Sequence, residues 1–115
     1  MNEERLRDDA LVVRGGYVTP ERVQDAADDE PTWGISVQSA NGLTAEQLAR
    51  EGAVPHRAIS VTTAGQIRAI GAGFDVRPTQ GPGRHATIII PSRPVSDDAR
   101  AIAAVFGEPV ANPAR

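Results

Sequence analysis

The sequence predicts an α+β fold: one compact domain with a small mixed sheet and three to four short helices. Three observations carry that reading. The chain has 115 residues, about the length of one domain. Short apolar runs interleaved with polar residues, the pattern of half-buried strands, recur along it. Between them lie helix-start signals, including two Thr-x-x-Gln capping boxes at Thr44 and Thr63.

Taken in order, residues 1–9 are polar and read as a flexible tail. Ala10–Val13 is a first strand, leaving through Arg14-Gly15-Gly16. Thr19-Pro20 starts a helix to about Ala27, because Thr caps and Pro is tolerated at the first helical position. Trp33–Gln38 alternates as a second strand, and Asn41-Gly42 is a turn. Thr44 and Gln47 open a helix that Gly52 stops. Ala58–Val61 is a short strand. Thr63 and Gln66 open a helix carrying Ile67 and Ile70 and closing at Gly71. Phe74–Arg77 is a strand, and Pro78–Gly83 a loop. His85–Ile90 is the strongest strand, ended by Pro91. Ser96-Asp97-Asp98 caps a helix over Ala99–Phe106, with its acids at the positive end of the dipole. The domain thus spans 10–107, and 108–115 reads as a second flexible tail.

Composition excludes much chemistry. There is no cysteine, hence no disulfide framework, thiolate nucleophile or Cys-based zinc site. All 12 basic residues are arginine, so a Walker lysine and a Schiff-base lysine are absent. The net charge of −3 argues against a general nucleic-acid binder. No apolar run has the length of a membrane span, and the acidic start Met1–Asp9 is not a signal peptide. No metal site is expected: His56 and His85 are the only histidines and lack ligand-type neighbours at i+3 or i+4. Gly71-Ala-Gly73 and Gly81-Pro-Gly83 are turn-like pairs rather than nucleotide loops. The acidic residues cluster at the N-terminus, at Asp28–Glu30 and at Asp97-Asp98, where tail, helix end and cap explain them. His56, in Pro55-His56-Arg57, reads as a surface residue.

What remains is a set of polar residues in apolar strands: Arg14, Ser36 and His85. Each must be exposed, satisfied or functional. Leu11-Val-Val-Arg14, Gly34-Ile-Ser-Val37 with Gly42-Leu43, and His85-Ala-Thr-Ile-Ile-Ile-Pro91-Ser-Arg-Pro94 occur in that order. Together they resemble three segments of a family of small bacterial toxins delivered by type VI secretion. That family has an ADP-ribosyltransferase-like fold and acts in the cytoplasm. The resemblance implies a minimal version of that fold, NAD as the bound dinucleotide, and a neutralising antitoxin or immunity protein as partner.

It also implies roles. Arg14 and Gly15 take the phosphate side, since charge-assisted bonds to phosphate are strong and geometric. Ser36, beside Gly34, meets the ribose hydroxyls. Tyr17 or Trp33 stacks on a ring. His85 bonds a ribose hydroxyl or acts as a base. The glutamate typical of many ADP-ribosyltransferases has no counterpart, and Gln80 is the nearest polar candidate. Three other readings stay open at the sequence level. One is a non-enzymatic antitoxin, immunity or phage-encoded interaction protein. Another is an RNA-cleaving toxin using His85 with Arg14. The third is a helix-turn-helix regulator built from the segments at 43–48 and 62–70.

Overall fold

A computed structural model of the chain describes residues 5–29, 34–91 and 96–115. Its elements run β1 (Leu11–Gly15), α1 (Pro20–Asp29), β2 (Ile35–Ser39), α2 (Ala45–Glu51), β3 (Ala58–Thr63), α3 (Ala64–Arg68), β4 (Asp75–Pro78), β5 (His85–Ile89), α4 (Ser96–Val105) and β6 (Val110–Ala111). The six strands form one sheet in the order β4-β5-β2-β1-β3-β6. The α+β class is as the sequence predicts. The sheet, expected to be mixed, is antiparallel at every pairing among the described residues. Short returns such as the one between β4 and β5 allow this, because antiparallel neighbours need no long crossover.

Strand alternation divides the core between the two faces. On one face Val12, Ile35, Val37, Val76, Ala86 and Ile88 meet Val23 of α1, Ala64 and Ile67 of α3, and Ala99 and Ile102 of α4. On the other, Val13 and Ile59 meet Leu48 of α2. The first face therefore carries three helices, and the second carries one.

Both capping threonines act, in different ways. Thr44 completes its box: its hydroxyl accepts from Gln47 N at 3.1 Å, and Gln47 Oε1 accepts from Thr44 N at 2.8 Å. Thr63 accepts from Gln66 N at 3.2 Å, but the Gln66 side chain takes the Thr62 and Thr63 hydroxyls instead of the backbone. That helix is short and ends at Arg68, with Ala69 as its C-cap. Strand β3, lying between α2 and α3, rules out the helix-turn-helix arrangement, and the two helices pack on opposite faces of the sheet.

The two expected tails are built into the fold over their described residues. Leu6 is buried in the core, and Asn41 brackets Arg5 and Arg7 through their backbone at 2.8 and 2.7 Å. At the other end Val110-Ala111 pairs with β3. Asn112, also buried, donates to the carbonyls of Val54 and His56. Residues 1–9 are polar and 108–115 carry no helix or strand pattern, which concealed both segments, since each is fastened by one buried residue and a few hydrogen bonds.

Arg68 ties three elements together. Its guanidinium donates to Asp75 at 2.7 Å and to Asp8 at 2.7 Å. Burial alone would raise the Asp75 carboxyl. Hydrogen bonds from Arg68, Val76 N and Arg77, with the charge of Arg68, outweigh it and hold Asp75 below the ordinary carboxylate value. A depressed folded-state pKa stabilises the fold above the unfolded carboxyl value of about 3.9, and the contribution is lost as pH falls through the folded value. Asp75→Asn is expected to lower stability by about 1–3 kcal/mol at pH 7. Its urea midpoint should converge with that of the wild type below about pH 4; a constant difference across that range contradicts the assignment.

Candidate functional site

The candidate site lies where the two central strands part. β1 and β2 pair only at Val12↔Ser39 and Val13↔Gln38. Beyond that point β1 stays with β3 as far as Gly15↔Ile59, while β2 stays with β5 as far as Ile35↔Ile88. A cleft of about 500 Å³ opens between them. Arg14 reaches across the gap, and its Nη1 donates to the Ser36 carbonyl at 2.6 Å. That bond satisfies a strand carbonyl for which β1 provides no ladder partner.

The segment after β1 forms one wall. Gly16 is buried with φ 78°, a left-handed conformation that favours glycine. It is pinned to β3 by Gly16 N to Ala58 O at 2.8 Å and Ser60 Oγ to Gly16 O at 2.9 Å. Gly15 has no room for a Cβ, because the His56 ring occupies that space. Arg22, in the first turn of α1, donates to Tyr17 O at 3.3 Å. Its Nη1 stands 3.2 Å from where a Gly16 Cβ would be. Tyr17 lines the same cleft with 58% of its surface exposed.

The opposite wall is β2 and β5. Gln38 faces His85 in the ladder and holds the loop before it. Its Nε2 donates to Pro82 O at 3.2 Å, and its Oε1 accepts from Arg84 N at 2.7 Å. Gly52 is the C-cap of α2, as its place in the sequence implies, but with a right-handed φ of −81°. The left-handed residue is Ala53, φ 50°. Gly52 must be glycine for another reason: the Gln38 side chain fills the place of its Cβ. His85 is half-buried. Its Nδ1 is 2.7 Å from Thr79 Oγ1, which is 2.9 Å from Thr87 Oγ1. This chain fixes the ring and leaves Nε2 without a described partner.

The electrostatics are local. Among the described residues the cleft holds Arg14, Arg22, His56 and His85 against one carboxylate, Asp25. Burial, then the neighbouring Arg22, push the Arg14 pKa below its ordinary value; arginine nevertheless stays charged. Among the described residues no group of three or more His, Cys, Asp or Glu is placed to hold a metal ion, and no helix is long and apolar enough to cross a membrane.

Arg14, Gly15, Tyr17, Ser36 and His85 line this one cleft. Two other sequence candidates do not. Thr79 N donates to His85 O at 3.0 Å, so Thr79 sits beside the imidazole and Gln80 falls one residue further, in exposed loop. Gly34 precedes the β2 ladder and is buried, away from the lining. Trp33 lies outside the described residues. His56 is exposed, as read from the sequence, yet it lines the cleft, as do Arg22, Asp25 and Gln38. The signal for His56 and Arg22 was the Gly15-Gly16 pair, which read only as a strand exit. Compared with protein families, curated proteins and solved structures, the chain matches none.

Thr79→Val is expected to release the His85 ring at a cost of about 1 kcal/mol. Imidazole 15N spectra should then show a changed Nδ1/Nε2 tautomer balance; an unchanged spectrum means that Thr79 does not set it.

Proposed function

We propose that this chain is a bacterial toxin that binds NAD in the cleft between β1 and β2 and transfers its ADP-ribose to a cytoplasmic target, held in check by a neutralising antitoxin or immunity protein. The observation that carries the reading is convergence. Five residues proposed from distant segments of the sequence line one opening, of a size within the usual range for small-molecule sites, about 300–1,000 Å³.

The residues fit such a ligand. Arg14 is half-buried and has no carboxylate partner among the described residues, as a phosphate-binding arginine requires. Tyr17 offers an exposed ring at the mouth for stacking. Ser36 offers its hydroxyl on the uncovered face of β2. NAD supplies a glycosidic bond that breaks with departure of neutral nicotinamide, while the acceptor's nucleophile bonds to the ribose carbon and gives up a proton. On this reading His85 Nε2 takes that proton, and the Thr79 contact to Nδ1 supports the role by orienting the ring. Asp25 is the carboxylate nearest to hand for the positive charge that develops on the ribose.

One observation favours a second reading, RNA cleavage. His56 and His85 share the cleft with Arg14 and Arg22, which supplies the acid–base pair and the phosphate clamp such a reaction needs.

Expression in bacteria should arrest growth, and purified chain should release nicotinamide from NAD. Arg14→Ala, Ser36→Ala and His85→Ala should each reduce release by about 10²-fold or more and relieve the arrest, with circular dichroism unchanged. Undiminished arrest in all three removes the site. RNA fragments without nicotinamide select the second reading. A chain that is inert alone and rescues growth from a neighbouring gene's product selects the antitoxin role.

A further inference from the structure

Cations gather around the turn after β1 with little to oppose them. Arg7, Arg50, Arg68, Arg77, Arg84 and Arg100 each hold a carboxylate. Arg5, Arg14, Arg22, Arg57 and Arg115 hold none among the described residues, and of these Arg14 and Arg22 line the cleft, although Asp25 stands at i+3 from Arg22, a spacing that commonly pairs. Arg22 instead turns back over Gly16 to the Tyr17 carbonyl. Arg14 is the half-buried member of the two, and burying a charge without a counter-charge is costly. The proximity of Arg22 adds like-charge repulsion, which contributes to the lowered pKa of Arg14. The consecutive glycines make this crowding possible: a side chain at Gly15 would displace His56, and one at Gly16 would press on Arg22.

We infer that Arg22 is a second anion-binding group, and that Arg14 and Arg22 together make the cleft selective for a diphosphate over a single phosphate. The two guanidiniums come from different elements, the end of β1 and the first turn of α1. Each is a planar fork that matches the oxygens of one phosphoryl group. A diphosphate satisfies both and relieves their repulsion, whereas a single phosphate engages one fork fully. This inference deepens the dinucleotide reading and rests on it for the identity of the natural ligand.

The test is calorimetric titration of the full chain at low ionic strength with inorganic pyrophosphate, inorganic phosphate and ADP. Pyrophosphate and ADP should bind at least about tenfold more tightly than phosphate. Arg22 is exposed, so Arg22→Gln should keep the native circular dichroism while its pyrophosphate affinity falls to within about twofold of that for phosphate. Arg22→Lys should recover part of the preference, because an ammonium keeps the charge and loses the fork. Arg50→Gln, which removes an exposed cation on α2, should change neither affinity. Equal binding of the two anions by the wild type overturns the inference, as does an Arg22→Gln titration matching the wild type. Arg22-dependent ADP binding without nicotinamide release upholds it and removes the transferase. Nicotinamide release insensitive to Arg22→Gln overturns it and leaves the transferase standing.

Discussion

Strands β1 and β2 part after two residue pairs, and the cleft and its lining follow from that gap. β1 is the pivot of the sheet, bonded along its length to β3 but to β2 at two residue pairs. A continuous ladder would have filled the centre of the domain with backbone hydrogen bonds. Its interruption leaves strand carbonyls that need donors, and the Arg14 guanidinium supplies one across the gap. The same interruption makes room for α1 to bring Arg22 and Asp25 to the opening. A polar site can therefore sit in the middle of a small domain without breaking into its apolar core.

The unequal covering of the two faces explains which polar strand residues are available. α1, α3 and α4 close one face, and α2 covers only part of the other. Ser36, Gln38, His85 and Thr87 project on the open side of β2 and β5, in register as Ser36↔Thr87 and Gln38↔His85. Gln38 then straps the 82–84 loop to the sheet, and the Arg84–Glu51 ion pair at 3.1 Å joins it to the end of α2. At the far end of the chain, Asn112 holds the backbone at Val54 and His56. The wall that carries His56 is thereby secured by a segment that reads as a loose tail.

Net charge and local field point in opposite directions here. The chain is acidic overall, which speaks against broad attraction to polyanions. Arg7, Arg50, Arg68, Arg77, Arg84 and Arg100 are paired with carboxylates, while Arg14 and Arg22 meet at the cleft without a carboxylate partner among the described residues. On the proposed reading, the two arginines suit a small anionic ligand, and the net negative charge does not suit a long polyanion.

The α+β class, the order of most elements and both capping threonines are legible in the linear chain. Alternation and capping are local patterns, and a local pattern survives in a linear chain. The sequence also singled out Arg14, Ser36 and His85, because a polar residue inside an apolar strand demands an explanation. Tertiary structure alone decided that the sheet is antiparallel, that β6 exists, and that Thr79 rather than Gln80 stands beside His85. It alone brought Arg22 and His56 to Arg14. Those facts depend on contacts between residues tens of positions apart and on two glycines whose missing side chains make room for their neighbours. Pairing register and vacant space arise only when the chain is folded, so no run of residues carries them.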